Sequence, residues 1–188
     1  WRVRPEYDGV GDFSEGLAYT FTDDFIPWES FIYPSGKLAF DLDWDTHYVL
    51  YPYTFSQGLI ACSEDDETIV YLNRNCDVVV EAGPWDDARP FSEGLAAVKD
   101  EKGWQFIDDT GLVAFDGVYV RALSFSQGLA AVRIGDRWGY IDRTGQIAIP
   151  AIYLDANSFM SQGIAQVKLP SGAWTWINQE GMLLWPGR

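Results

Sequence analysis

Several residue types on which common functions depend are scarce in this sequence. Its 188 residues include two cysteines, Cys62 and Cys76, and one histidine, His47, and they contain no C-x-x-C pair. Two cysteines do not make a disulfide framework, and one histidine cannot form a multi-histidine metal site. The motifs G-x-S-x-G and H-E-x-x-H and the phosphate-binding P-loop are also missing. We therefore expect no enzymatic activity and no cofactor.

Basic residues and long apolar runs are scarce as well. The chain has 13 basic against 28 acidic residues, a formal net charge of −15. This charge repels phosphate backbones and anionic lipid, so we expect no nucleic-acid partner. No stretch approaches the roughly 18 apolar residues of a membrane span, so we expect no membrane insertion. The acidic balance favours a cell-envelope or extracellular location.

Aromatic residues and glycines are abundant. Tryptophan, tyrosine and phenylalanine make up 16% of the chain, and there are 18 glycines. Aromatic and β-branched residues alternate with turn residues along the sequence, which is typical of strands joined by tight turns. The composition therefore predicts an all-β fold.

An internal repeat organises the whole chain. One motif, Phe-Ser-(Glu/Gln)-Gly-(Leu/Ile)-Ala in its commonest form, occurs five times, and its glycines are separated by 42, 36, 34 and 35 residues. A second motif of aromatic and aliphatic residues followed by a turn glycine keeps the same phase, and residues 138–145 are its fullest form. Two motifs in phase predict a repeat architecture, in which neighbouring copies cover each other's apolar faces.

These residues resemble the WG-repeat (KWG) family of bacterial proteins. The resemblance runs from about Pro5 to Trp185, and the literal Trp-Gly dipeptide stands at Trp138-Gly139. It implies a β-repeat fold with a binding or scaffolding role, and it implies no catalytic residues.

The fourth copy predicts a three-stranded meander. We expect strands over 128–134, 137–142 and 146–150, with a two-residue turn at 135–136 and Pro150 ending the third strand. One domain of five units (5–46, 47–83, 84–116, 117–150 and 151–186) follows. The units could close into a small five-bladed propeller-like ring or form an open β-solenoid stack.

Residues that recur in phase are predicted to be structural. They are the repeat glycines and tryptophans, Gly16, Gly58, Gly94, Gly128, Gly163, Trp104, Trp138 and Trp174. The repeat phenylalanines (13, 55, 91, 125 and 159) are predicted to be core. Cys62 stands at a valine position and should be buried, whereas Cys76 replaces a turn glycine.

The long first copy carries a candidate ligand site. Asp41, Asp43 and Asp45 alternate, so on a strand they share one face and offer carboxylates to calcium. The glycine and the distal acid of an EF-hand are missing, and a solvated acidic surface is the alternative. Trp44 and His47 complete this candidate binding group.

A second departure from the repeat lies at Trp85 and Asp86. An aromatic ring beside carboxylates is typical of carbohydrate sites, because the ring stacks on a sugar and the acids bind its hydroxyls. The alternative is a turn whose tryptophan packs into the neighbouring unit.

The sequence favours a non-enzymatic binding or scaffolding module that mediates protein–protein interaction. A lectin-like or cell-wall glycan-binding module is the alternative, and a glycoside-processing enzyme on a small propeller is a distant one, since no carboxylate pair stands out. We expect a protein or glycan partner, and oligomers or larger assemblies are compatible with exposed strand edges.

Overall fold

The computed structural model describes residues 7–22, 29–41, 47–50, 54–64 and 68–184. These residues form strands and turns without any helix, so the all-β prediction is confirmed. Accordingly, the described part of the chain includes no helix of the length and hydrophobicity that crossing a membrane requires. The chain divides into two compact units, Trp1–Phe91 and Ser92–Arg188.

The first unit contains two antiparallel sheets whose strands follow chain order. The first sheet consists of β1 (Gly9–Val10), β2 (Ala18–Phe21), β3 (Glu29–Ile32) and β4 (Leu38–Asp41). The second consists of β5 (His47–Val49), β6 (Ile60–Glu64), β7 (Thr68–Leu72) and β8 (Val78–Gly83), and the short β9 (Asp87–Ala88) follows it.

The second unit repeats the pattern. Its first hairpin pairs β10 (Leu95–Asp100) with β11 (Gly103–Asp108). Its four-stranded sheet consists of β12 (Arg121–Ala122), β13 (Leu129–Ile134), β14 (Arg137–Asp142) and β15 (Ile147–Tyr153). A three-stranded sheet of β16 (Asp155–Ala156), β17 (Ile164–Lys168) and β18 (Trp174–Asn178) completes the described residues.

The predicted meander is present, and a short strand precedes it. In the four-stranded sheet of the second unit, Ala122 on β12 pairs with Val132 on β13. Strands β1, β5 and β16 occupy the same place before their own meanders. Two or three residues are too few for an alternating pattern, so the sequence motif did not indicate this strand.

The turn at the start of each of the first four meanders has left-handed backbone at two successive residues. In the third copy Glu93 has φ 56° and Gly94 has φ 78°, and Ser92 and Leu95 exchange backbone hydrogen bonds around them. Two positive φ values in a two-residue loop are characteristic of a type I′ turn, whose twist matches a β-hairpin. Glycine at the second position explains the strict repeat of this motif, and all five repeat glycines have positive φ.

The third strand of the fourth copy differs from its prediction. The prediction that Pro150 ends the strand was wrong, because β15 continues to Tyr153 past a register shift opposite Trp138 and Tyr140. Gly139 permits this irregularity: a Cβ there would lie 2.7 Å from both the Ile149 oxygen and the Ala151 nitrogen. The glycine of the Trp-Gly dipeptide is therefore required for close backbone approach.

Aromatic contacts join successive copies within each unit. Each buried repeat phenylalanine packs against an aromatic ring of the preceding copy, with ring centroids 4.6 to 5.1 Å apart, in the pairs Phe31–Phe55, Tyr71–Phe91, Phe106–Phe125 and Tyr140–Phe159. The prediction of a core role was wrong for Phe13, which is 47% exposed. No copy precedes Phe13 within the described residues, so it lacks the ring that buries the other four.

A serine hydrogen bond accompanies each aromatic contact. The Ser126 hydroxyl donates to the carbonyl oxygen of Phe159 in the next copy at 2.6 Å. The same bond recurs in the pairs Ser14–Phe55, Ser56–Phe91 and Ser92–Phe125, at 2.6 to 2.7 Å. The repeated Phe-Ser dipeptide thus supplies both a ring and a hydroxyl to the junction between copies.

Candidate binding surfaces

Every copy exposes an aliphatic residue on its outer strand or in the equivalent segment. It stands two residues after the turn glycine, or after Cys76 in the second copy, and it is 42% to 60% exposed. We call the five residues the outer-strand aliphatics: Leu38, Val78, Val113, Ile147 and Leu183.

Each outer-strand aliphatic lies opposite a buried aliphatic on the central strand. The five backbone pairs are Ile32↔Leu38, Leu72↔Val78, Ile107↔Val113, Ile141↔Ile147 and Ile177↔Leu183. The central-strand partners are at most 1% exposed. Cross-strand partners share a sheet face, so the apolar face of each copy extends from the core to an exposed rim.

The turn before each outer strand fixes its position. The Asp142 carboxylate accepts hydrogen bonds from the Thr144 hydroxyl at 2.6 Å, the Thr144 amide at 2.8 Å and the Gln146 amide at 3.1 Å. Gly145 has φ 82°, as the predicted glycine turn requires. The Thr144 bonds lower the pKa of Asp142, because they stabilise its charged form.

Three of the four equivalent turns use the same chemistry, and the first copy has Tyr33 at the aspartate position. Asp108 accepts from the hydroxyl and amide of Thr110, and these bonds lower its pKa in the same way. Asparagine replaces the aspartate in two copies. The Asn73 side-chain oxygen accepts hydrogen bonds from the amides of Asn75 and Asp77. The Asn178 side-chain oxygen accepts one from the Met182 amide. Cys76 occupies the glycine position with φ 62°.

A second candidate surface is a groove beside Trp85. It has a volume of about 490 Å³ and is lined by Leu50, Ser63, Thr68, Ile69, Pro84, Trp85 and Asp86. Trp85 is half-buried and Asp86 is exposed. The structure therefore brings the two predicted residues to the rim of one concave surface, together with two hydroxyl side chains.

A sharp turn holds the Trp85 ring in place. Gly83 ends β8 with φ 108°, and the Trp85 amide donates to the Gly83 carbonyl oxygen at 2.9 Å across Pro84. The indole nitrogen donates to the Ala82 carbonyl oxygen at 2.7 Å. These bonds tie both the backbone and the ring of Trp85 to the end of β8.

Three of the four other copies bury the residue at the Trp85 position. Counting six residues back from the repeat phenylalanine gives Tyr7, Val49, Trp85, Tyr119 and Tyr153, of which Tyr7 is only partly buried. Val49, Tyr119 and Tyr153 are buried in hydrophobic clusters, whereas Trp85 lines the groove. The third copy thus differs at a position that belongs to the core in the second, fourth and fifth copies.

The acidic group predicted in the first copy lies largely outside the described residues. Asp43, Trp44 and Asp45 are not described, and only the backbone of His47 is, paired with Glu64. Asp41 is exposed at the end of β4. The described side chains include no group of three histidine, cysteine or acidic residues able to hold a metal. The calcium site remains a prediction.

The repeat tryptophans divide into two kinds. Trp104 and Trp138 are buried, whereas Trp174 is 44% exposed, with the Lys168 ammonium 6.0 Å from its ring centroid. Cys62 is buried in the hydrophobic cluster of the first unit, at the depth that its valine-like position suggests.

The outer-strand aliphatics were missed by the sequence analysis. The available signal was an aliphatic residue two positions after the turn in all five copies. Periodicity indicates which residues share a face, but it does not indicate how far a neighbouring sheet covers that face.

The family model of the WG containing repeat matches residues 1–24, 71–104, 106–138 and 138–169. A search of curated protein sequences gives no match.

Solved structures resemble the chain at low sequence identity. BamB from Moraxella catarrhalis is 12% identical, with a TM-score of 0.52 over 94% of this chain and 60% of that one. Hsv2 from Kluyveromyces lactis is 7% identical, with a TM-score of 0.65 over 93% and 61%. The chain therefore spans about three-fifths of these structures. They are β-propellers, and the likeness shows a β-propeller-like fold for the small antiparallel sheets described above.

Proposed function

Because the chain belongs to the family of WG-containing repeat proteins, we propose that it is a non-enzymatic interaction module that binds a protein partner through its outer-strand aliphatics. The observation that carries this proposal is the exposure of the same apolar position in all five copies. Single exposed apolar residues are ordinary on protein surfaces, whereas one repeated in register indicates a shared role.

The position of these residues suits strand-mediated recognition. In the four-stranded sheets β4, β8 and β15 are edge strands, and each carries one outer-strand aliphatic. An edge strand offers backbone hydrogen-bonding groups, and an exposed aliphatic side chain beside them provides an apolar contact. An extended segment of another protein can use both.

The charge of the chain indicates which class of partner protein it favours. A net charge of −15 accelerates encounter with basic proteins and disfavours acidic ones. We therefore propose a partner that presents aliphatic residues among lysines and arginines. Catalysis has no part in the proposal, and a turnover that disappeared on substitution of one carboxylate pair would contradict it.

Partner capture by matched variants tests the proposal. The outer-strand variant replaces all five outer-strand aliphatics by threonine. Threonine is common in strands and has less apolar surface than leucine, isoleucine or valine. A control variant carries Lys37→Ala, Asp77→Ala and Gln146→Ala, each one residue before an outer-strand aliphatic. The two variants and the parent chain are immobilised separately. Each is then exposed to an extract of the cells that produce the protein.

We expect one or more basic proteins on the parent chain and on the control variant, with at least a tenfold loss on the outer-strand variant by quantitative mass spectrometry. In titrations with the purified partner, the same substitutions should raise Kd at least tenfold. Equal capture by the parent and the outer-strand variant would contradict the proposal.

A further inference from the structure

We propose that the groove beside Trp85 is a binding site for an uncharged pyranose sugar, separate from the outer-strand aliphatics. The groove volume of about 490 Å³ falls within the roughly 300–1,000 Å³ of small-molecule sites. Its lining combines an aromatic ring, aliphatic side chains, two hydroxyls and one carboxylate. This mixture fits a ligand that has both an apolar face and hydroxyl groups.

Trp85 supplies a prearranged platform for that apolar face. Its ring is tied to the Ala82 carbonyl by the 2.7 Å indole hydrogen bond, and its backbone is tied to Gly83. A ring already fixed before binding loses little rotamer freedom when a ligand stacks on it. The axial C–H groups of a pyranose are the usual partners of such an aromatic surface.

The polar groups of the groove suit sugar hydroxyls. Ser63 and Thr68 can each donate and accept a hydrogen bond, and the exposed Asp86 carboxylate accepts two or more. The neighbouring Asp87 instead accepts from the Ala88 amide at 2.8 Å, so its carboxylate is engaged by its own backbone. A carboxylate at the rim, on a chain of net charge −15, disfavours anionic sugars.

The repeat itself indicates that Trp85 is not needed as a core residue. Tyr119 and Tyr153 at the equivalent positions are buried, and both phenols have a pKa raised by burial. Trp85 is larger and yet lies half in the groove, where its amide donates to the Gly83 carbonyl oxygen, whereas the Tyr119 amide donates to Trp104 on the neighbouring strand. A large side chain held at a surface where three of its four equivalents are buried is consistent with contact to a ligand.

Isothermal titration of the full chain with defined oligosaccharides tests the proposal. The neutral probes are cellohexaose, chitohexaose, xylohexaose and mannohexaose, and the anionic probe is hexagalacturonate. We expect at least one neutral probe to bind and hexagalacturonate to bind at least tenfold more weakly. Trp85→Ala should weaken the neutral probe at least tenfold, and Asp86→Asn severalfold.

Two further variants separate binding from folding. Trp174→Ala removes a more exposed tryptophan outside the groove and should change the affinity less than twofold. Trp85→Phe keeps an aromatic platform and should retain part of the affinity that Trp85→Ala loses, at an unfolding midpoint close to that of the parent.

Failure of all four neutral probes to bind the parent chain would overturn the proposal. It would also be overturned if hexagalacturonate bound as tightly as the best neutral probe, or if Trp174→Ala weakened binding as much as Trp85→Ala. None of these results bears on partner capture by the outer-strand aliphatics, so the two proposals fail independently.

Discussion

The central and outer strands of each copy carry similar aliphatic residues in different surroundings. Ile141 on β14 is fully buried, while its cross-strand partner Ile147 on β15 is 60% exposed. The same contrast holds in all five copies. Central-strand aliphatics therefore stabilise the fold, whereas outer-strand aliphatics are free to contact something else.

The largest expected effect separates the two members of one cross-strand pair. Ile141→Ala removes a fully buried side chain and should lower the free energy of unfolding by about 2–5 kcal/mol. Ile147→Thr changes an exposed residue and should alter it by less than about 0.5 kcal/mol. Urea denaturation of both variants measures the difference, and equal losses would show that Ile147 belongs to the core.

The second-largest change in stability is expected where the backbones of β14 and β15 approach each other closely. Gly139→Ala places a Cβ within 2.8 Å of three backbone atoms of β15, so the outer strand must move. We expect a loss of about 1–3 kcal/mol and faster amide exchange across residues 147–153. In the third copy Gln105 stands where Gly139 does in the fourth. Gln105→Ala is therefore the matched control, and unchanged exchange in Gly139→Ala would refute the steric explanation.

A smaller effect tests the junction between copies. Ser126→Ala removes the hydroxyl that donates to the Phe159 carbonyl and should cost about 1 kcal/mol of unfolding free energy. The exposed Ser171 provides a control, because Ser171→Ala should be nearly silent. Urea denaturation midpoints measure the difference. Equal midpoints for the two variants would show that the Ser126 hydrogen bond does not stabilise the junction between copies.

The smallest effect is a pH dependence in the turns that join central to outer strands. Bonds from Thr110 and Thr144 lower the pKa of Asp108 and Asp142 below the unfolded value of about 3.9. Their stabilisation is therefore complete above that value and is lost as the pH falls through the lowered pKa. The double variant Asp108→Asn/Asp142→Asn should lose stability less steeply between about pH 5 and about pH 2.

Asparagine is a suitable replacement because Asn73 and Asn178 already accept the same turn bonds. Thermal unfolding across this pH range is the measurement, and Asp109→Asn on the exposed part of one turn is the control. An acid decline as steep in the double variant as in the parent would contradict the assignment.

The local residue pattern predicted most of the strands and turns, but it did not predict which apolar residues are exposed. The turn glycines and the central strands follow from residue type and spacing, as Gly145 and the strand around Ile141 illustrate. The two-residue β12 and the continuation of β15 past Pro150 were missed, because both depend on pairing with a neighbouring strand. Exposure depends on how far an adjacent sheet reaches, which no local pattern encodes.

The candidate sites show the same division. The aromatic and acidic residues at Trp85 and Asp86 were recognised from their departure from the repeat, but the groove depends on the left-handed Gly83 that ends β8. The outer-strand aliphatics were visible as a periodic position, and only the structure shows that they are exposed.

Unfolding and partner capture measured on the same preparation of the outer-strand variant show whether the outer-strand aliphatics serve binding and not folding. Five exposed substitutions should together change the free energy of unfolding by less than about 2 kcal/mol, while capture of the basic partner falls at least tenfold. A loss of stability greater than the roughly 2–5 kcal/mol expected for one buried isoleucine would show that these residues belong to the core. Full stability with undiminished capture would show that they do not bind the partner.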